Sequence, residues 1–326
     1  MLLVGGGAIG VWSVTRLVAA DASGRPACNG HAELCARPYN QVAFAATHNS
    51  MSSVADGFTT PDQGRSIDDQ LANGIRAFLI DVYSGTPTSG QVCTDPTPLL
   101  VKQLRREQGQ ATLNELLDVR NSRCPPAGGP TSSTYLCHSF CELGATKFSD
   151  ALAGFRRFLH DHPDDVVTLI LEDYAVASDI DAAFRDAGLE RSLLHHEPGQ
   201  PWPTLHQMKH RGTRLVVFAQ NQGGGAPGLL DAFKEMGETP YSFQSSAEFS
   251  CVPNRGLGKS PPLFLLNHWV DDPNLRAAAA LVNEYDVLGA RADRCEQERG
   301  HIPNFVAVNF AEQGDLLRVV DHLNGF

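Results

Sequence analysis

Positive charge is scarce in this chain. Its 326 residues carry 26 Lys+Arg against 37 Asp+Glu, a formal charge of −11. That balance argues against a broad nucleic-acid-binding face, because phosphate backbones are gripped by clustered cations. It leaves room for an anionic small substrate, since one local cation or metal can oppose the overall field. Long apolar runs are missing as well. Met1 to Thr15 has no charged side chain, but Arg16 ends the run short of the ~20 residues a bilayer span needs, and no later segment is long enough. Ala20-Asp21-Ala22 follows, a small-residue pattern of the kind a signal peptidase cuts. Residues 1–27 therefore read as an export signal and linker, with a retained membrane anchor as the alternative. Repeats, low-complexity tracts and charged linkers are absent too, so 28–326 reads as one domain. With 42% hydrophobic and 19% charged residues, it has an ordinary globular composition and enough chain for a large core.

Two motifs fail for want of context. Gly5, Gly7 and Gly10 spell the dinucleotide-binding G-x-G-x-x-G, but only four residues precede them, too few for the required strand. Ser139 is not read as a hydrolase nucleophile, because the G-x-S-x-G elbow is absent. The eight cysteines, by contrast, form an even set after an export signal and read as disulfides. Pairing in chain order is the local expectation: Cys28 with Cys35, Cys93 with Cys124, Cys137 with Cys141, and Cys251 with Cys295. Such bridges clip loops and leave the apolar core to carry the fold.

Short runs rich in Val, Ile, Leu and Phe recur along the chain at 42–47, 75–82, 134–137, 166–171, 214–219, 241–244, 263–267 and 305–310. Amphipathic stretches lie between them at 66–72, 149–160, 179–187, 274–285 and 313–323. Strands apolar on both faces that alternate with helices imply parallel pairing. Eight in succession predict an α/β fold, a single (β/α)8 TIM-type barrel with distorted geometry and disulfide-clipped loops.

Chemistry in such a barrel sits at the C-terminal ends of the strands. The first run ends in Thr47-His48-Asn49-Ser50, the second in Asp81-Val82-Tyr83, the third in Cys137-His138-Ser139 and the fourth in Glu172-Asp173-Tyr174. Two imidazoles on one rim can take a proton from a nucleophile and return one to a leaving oxygen. Asn49, Asp81 and Glu172 offer oxygen ligands to a hard cation, Ca2+ or alternatively Mg2+. Their plain structural alternative is capping or pairing with Arg76. Asn267-His268-Trp269 follows the seventh run and could line a head-group pocket or simply pack on the rim. Gln220-Asn221-Gln222, with Gly223 to Gly225 beyond, ends the fifth run as a mobile loop or a substrate lid. His195, His196, His206 and His210 are read as surface residues.

Several of these segments together resemble a known family. Cys35-Ala-Arg-Pro-Tyr, Ala46-Thr-His-Asn-Ser-Met, Gln70-Leu-Ala-Asn-Gly-Ile-Arg, Leu79-Ile-Asp-Val-Tyr, Leu136-Cys-His-Ser-Phe and Leu171-Glu-Asp-Tyr look like the X-domain-type phosphatidylinositol-specific phospholipase C superfamily. Arg214-Leu-Val-Val-Phe and Pro303-Asn-Phe-Val-Ala-Val-Asn-Phe resemble its secreted, cysteine-bearing branch. The resemblance runs from about Cys28 to the C-terminus. It implies a distorted TIM-type barrel and a phosphodiesterase, a phospholipase C-like lyase or hydrolase of lipid metabolism. In that family the 2-hydroxyl of inositol attacks phosphorus and releases diacylglycerol and a cyclic phosphate.

By the same resemblance, His48 matches the histidine that contacts phosphate or serves as general base, and His138 the general acid. Asn49, Asp81 and Glu172 match three calcium ligands. Leu79 stands where calcium-dependent members carry a further acidic ligand, which weakens or removes cation binding. Tyr83 stands where metal-free bacterial members carry an arginine. The phosphorane's developing charge still has to be neutralised, which favours a divalent ion on Asn49, Asp81 and Glu172. Tyr83, Asn267 and His268 are the expected substrate-binding residues. The expected partner is a phospholipid or inositol-type phosphodiester met at most transiently at a membrane surface, by a secreted monomer. Two alternatives stay open. One is a glycerophosphodiester- or sphingomyelin-type phosphodiesterase, although His48-Asn49-Ser50 replaces the His-Arg-Gly opening of the former. The other is a head-group-binding barrel without turnover.

Overall fold

The computed structural model describes residues 27–258 and 261–326; the expected export segment and the Gly5–Gly10 motif lie outside them. Eleven strands are present among the described residues: β1 Phe44–Thr47, β2 Ala77–Pro87, β3 Val92–Thr94, β4 Ser133–Cys137, β5 Ala145–Lys147, β6 Val167–Asp173, β7 Leu215–Ala219, β8 Leu229–Asp231, β9 Met236–Glu238, β10 Leu263–His268 and β11 Phe305–Val308. Eight of them form one curled parallel sheet in the order β8-β7-β6-β2-β1-β11-β10-β9. No ladder joins β8 to β9 among the described residues, and a four-residue helix, Ala232–Glu235, carries the chain across that seam. The fold is an α/β barrel left open on one side.

Six of the eight expected runs are barrel strands, and two are not. Residues 134–137 form β4, which pairs antiparallel with β2 and with β5; together with β3 they make a flap on the long end of β2. The segment 241–244 is a loop. The short strands β8 and β9 take the missing places in the barrel, each only three residues long. All four disulfides pair in chain order, as the sequence suggested. A helix absent from the expected set, Pro98–Arg123, is inserted between β3 and β4.

Side chains alternate across each strand, so every second residue enters the barrel. Phe44, Ala46, Ala77, Leu79, Ile170, Val216, Phe218, Leu265, Phe305 and Ala307 pack together inside. Ala45, Phe78, Ile80, Leu169, Leu171, Val217, Phe264, Leu266 and Val306 pack outward against the helices. Tyr39 and Trp202 close the bottom, with ring centroids 5.0 Å apart. The buried Tyr39 hydroxyl lies 2.6 Å from Thr168 Oγ1. His196 stacks on Trp202 at 3.8 Å and meets Glu235 at 2.9 Å, so it is buried rather than on the surface as expected. With the bottom filled by aromatic rings and the Tyr39–Thr168 pair, the other polar inward residues gather at the top.

Asn304 ties three segments at the base of the sheet. Its Nδ2 donates to the carbonyls of Asn40 and Val42, and its Oδ1 accepts from the Phe264 amide. The side chain is fully buried. Asn304→Ala strands these backbone groups, and we expect a loss of about 3 kcal/mol, seen as a lower urea midpoint with an unchanged slope.

Candidate active site

Continuing the same alternation past the apolar layer fixes what reaches the rim. His48, Asp81, Tyr83, Glu172, Tyr174, Gln220, Glu238, Asn267 and Trp269 all line one cavity of about 700 Å³, joined there by Asn49 and His138. Asp81 and Glu172 are register partners on the adjacent strands β2 and β6. His138 arrives from the flap, at the end of antiparallel β4, and not from a barrel strand as expected.

His268 falls on the wrong side of β10. Its neighbours Asn267 and Trp269 face the cavity, so parity sends its ring outward among the helices, where Nε2 lies 2.8 Å from the Val282 carbonyl. Arg291 packs at Nδ1. Burial first, and the Arg291 charge second, push its pKa down to about 3. The expectation that His268 binds substrate is corrected accordingly. Asn267 does line the cavity, but its amide donates to Glu238 and to the Thr239 carbonyl. Tyr83 stacks against Tyr174 at 4.8 Å on the opposite wall. The segment 220–222 is tied down by Asp173, which accepts from the amides of Asn221 and Gln222, each at 2.9 Å. Those bonds argue against a loose lid.

A buried carboxylate that sequence reasoning did not single out, Asp62, organises the two histidines. Its Oδ2 lies 3.2 Å from His138 Nδ1 and accepts from Asn49 Nδ2 at 2.9 Å. Its Oδ1 accepts from Asn309 Nδ2 at 3.1 Å. That bond orients the Asn309 amide so that its Oδ1 accepts from His48 Nδ1 at 2.8 Å. Nδ1 of His48 then carries the proton, and Nε2 keeps a lone pair. Trp269 stacks on the His48 ring at 3.8 Å, nearly parallel. Asn309 directly follows β11, so reading past that strand's end would have found it; Asp62 sits in a loop with no motif.

The backbone is strained at the same places. Among the described non-glycine residues, positive φ occurs at Asn29, Asn49, Ser139 and Phe310. The last three directly follow His48, His138 and Asn309. A bulky residue such as Phe310 at φ 44 is disfavoured sterically, and strain of this kind collects at functional sites. The Cys137–Cys141 bridge closes the turn that holds His138.

The acidic pair has the character of a cation site. Asp81 is pushed well above the ordinary carboxylate range, first by burial and then by the charges of Glu172 and Asp62. Arg76, the expected structural partner, instead pairs with Asp165 at 2.9 Å. Among the described residues neither Asp81 nor Glu172 has an ion pair, though the Tyr174 hydroxyl donates to Glu172. Two adjacent carboxyl groups, one buried and one half-buried, with no ion-pair partner among the described residues have donors that suit a divalent cation. Asn49 could add only its Oδ1, because Nδ2 is already bonded to Asp62 and contacts His138 at 3.2 Å. Two arginines that strand-end reading missed also line the cavity: Arg106, and Arg255, which is held by Glu238.

Comparison with known proteins places the chain in a family. The family model PI-PLC X 1 matches residues 126–324. The chain belongs to the PI-PLC X family. A PI-PLC X domain-containing protein 1 of Arthroderma benhamiae is 27% identical over 319 residues, covering 91% of this chain and 89% of that protein. An uncharacterized secreted protein of the same fungus is 26% identical, and a PI-PLC X domain-containing protein of Arabidopsis thaliana 25%. The matched regions cover 61% and 63% of those two longer proteins. Among solved structures, the phosphatidylinositol-specific phospholipase C of Listeria monocytogenes superposes with a TM-score of 0.53 at 14% identity, covering 90% of this chain and 96% of that one. The Staphylococcus aureus enzyme gives 0.51 at 10% identity, covering 90% and 95%. These PI-PLC structures share the fold. Four disulfides and a secreted relative fit an extracytoplasmic PI-PLC X protein. No described helix is long and apolar enough to cross a membrane.

Burial is the largest influence on His48 and lowers its pKa below 6.5, while Asp62 and Asn309 pull it back up. The unfolded chain therefore takes up the proton first, so this residue costs stability as pH falls below about 6.5. Asp62→Asn removes the opposing charge. In NMR titrations we expect His48 to titrate below the ordinary value in the parent and lower still in that variant; an upward move would contradict the assigned network.

Proposed function

We propose that this protein is a phosphodiesterase that cleaves a phospholipid or inositol-type diester by paired-histidine acid/base catalysis. The observation that carries the reading is the network in which Asp62 holds His138 directly and His48 through Asn309, at the mouth of one cavity. The cavity volume suits a head group rather than a polymer.

The two rings are prepared differently. His48 is kept neutral by its surroundings and has its lone pair on Nε2, the state of a general base. It accepts the proton of the attacking hydroxyl as the new phosphorus–oxygen bond forms. His138 faces the Asp62 carboxylate, an ion pair when the ring holds two protons. It gives its proton to the leaving alkoxide as the old phosphorus–oxygen bond breaks. Attack by the substrate's own hydroxyl yields a cyclic phosphate and an alcohol. Water could then open the ring with the roles reversed. Asp81, Glu172 and Asn49 Oδ1 would hold a calcium or magnesium ion, which when bound supplies positive charge for the phosphate oxygens.

The deciding assay is turnover of a chromogenic inositol phosphodiester, beside glycerol and choline diesters. His48→Ala and His138→Ala should each lower kcat/KM by about 100-fold or more. Preference for glycerol or choline would move the substrate class but keep the chemistry. Absence of turnover on all three, by a folded protein, would falsify the enzyme reading and leave a head-group-binding barrel.

Cation binding is measured separately by calorimetry with calcium or magnesium alone. We expect one site that Asp81→Asn or Glu172→Gln each weakens by about 10-fold or more. Heat signals identical in parent and variants would remove the acidic pair from the cation site.

A further inference from the structure

The inserted helix Pro98–Arg123 precedes the region matched by the family model. Thr97 caps it, and Gly109 interrupts it with φ 80 and ψ 167, a conformation open to glycine. Its base is fixed twice over, by the Cys93–Cys124 bridge and by the buried Arg120–Asp95 pair at 2.9 Å. Both halves of this arm line the cavity. Leu100, Leu104 and Gln108 come from before the break, and Thr112 and Leu116 from after it. Their spacing of four puts neighbours in each half on one helix face, so the arm is a wall of the site.

The wall belongs to the His138 side. Leu100 is buried in one cluster with Tyr83, Tyr135, Tyr174 and the Cys137–Cys141 bridge, and Leu104 packs against it. The same flap carries His138 into the cavity, whereas His48 is held by Trp269. Arg106 stands out in this wall. The other arginine that lines the cavity, Arg255, is paired with Glu238. Among the described residues Arg106 makes no ion pair; its guanidinium donates to Gln103 Oε1 and keeps further donors open. The charges that act most on His48 are those of Asp62, His138 and Asp271, and on Asp81 those of Glu172 and Asp62. Arg106 is not among them, so it stands apart from His48 and from the acidic pair.

We propose that Arg106 binds an anionic group on the alcohol that leaves, so that the substrate is a diester with a polar, charged leaving part rather than diacylglycerol. Gln103, Gln108 and Thr112 line the cavity beside it and offer hydrogen bonds to a hydroxylated chain. An acyl chain laid on this wall would take water from a guanidinium and two amides and return no bond. When His138 gives its proton to the leaving oxygen, the freed alcohol lies against the wall that carries Arg106. The proposal rests on the phosphodiesterase reading for the role of His138, but anion binding can be measured without turnover.

The test compares two inositol phosphodiesters whose nitrophenyl leaving groups are matched in acidity, one neutral and one bearing a carboxylate. The parent protein should favour the carboxylate in kcat/KM by about 10-fold or more. Arg106→Gln should bring that ratio close to one, and Arg106→Lys should keep part of it. Calorimetry with glycerol phosphate alone supplies the second readout, with Arg106→Gln expected to bind it about 10-fold more weakly than the parent. A ratio near one in the parent, a ratio that survives in Arg106→Gln, or equal glycerol phosphate binding by the two proteins would overturn the proposal. Turnover of neither diester, with binding that still depends on Arg106, would remove the phosphodiesterase and retain Arg106 as the anion-binding residue of the cavity.

Discussion

A side chain on a barrel strand has two destinations, the interior or the helical layer, and its position in the strand decides which. That constraint governs the rest of the structure. Tyr39, Trp202 and the inward phenylalanines fill the base of the barrel, so apart from Thr168, bonded to the Tyr39 hydroxyl, the inward polar residues gather at the upper rim. His48 continues the inward series Phe44, Ala46; Asp81 continues Ala77, Leu79; Glu172 continues Thr168, Ile170. A shift of one residue in any of these strands would send a reactive group into the apolar shell outside. His268 shows the consequence: chemically identical to His48, it is buried in that shell, hydrogen-bonded to a backbone carbonyl and held neutral.

Asp62 gives the rim its order. A buried carboxylate is costly unless its oxygens are satisfied, and here Asn49, Asn309 and His138 satisfy it. The arrangement fixes two amide orientations and, through them, the tautomer of a histidine that Asp62 does not touch. Because Asn309 is interposed, His48 receives orientation without a full negative charge at Nδ1, whereas His138 has the charge directly. One carboxylate thus gives two like rings different surroundings, and the left-handed backbone at Asn49, Ser139 and Phe310 is the local strain that accompanies it.

Much of this was legible in the sequence, and the failures share a cause. The short apolar runs identified six barrel strands, and strand-end reading identified His48, Asp81 and Glu172. Chain-order pairing of the cysteines, the local expectation among many connectivities, is what the four disulfides show. What misled was length: β8 and β9 have three residues each, too short for any periodic signal, whereas β4 is apolar enough to pass for a barrel strand. His138 was found at the end of β4 even though β4 belongs to the flap, because an antiparallel neighbour of β2 also brings its end to the rim. The Pro98–Arg123 arm carries polar residues around much of its surface and has a glycine at its centre, so no apolar stripe announced it. Asp62, Arg106 and Arg255 lie off the barrel strands, and only tertiary contact reveals them.

The electrostatics of the cavity follow from local placement rather than from the sum of charges. Asp81, Glu172, Glu238 and Asp271 line it together with Arg106 and Arg255. Arg255 is already committed to Glu238, packed between the rings of Phe233 and Tyr241 at 5.0 and 4.8 Å. Its charge therefore serves mainly to make a buried glutamate tolerable. The acidic pair at the floor has no ion-pair partner among the described residues, although the Arg255 charge also acts on Glu172, and its two negative charges repel unless a proton or a cation intervenes. The raised pKa of Asp81 expresses the first state: as pH falls, a proton relieves the repulsion with Glu172. A divalent cation held there, as proposed above, would relieve the same repulsion at higher pH, so proton and cation would compete for one position. Under the proposed cation site, affinity would rise with pH through the range in which Asp81 gives up its proton, and the charge of the cavity floor would follow that competition.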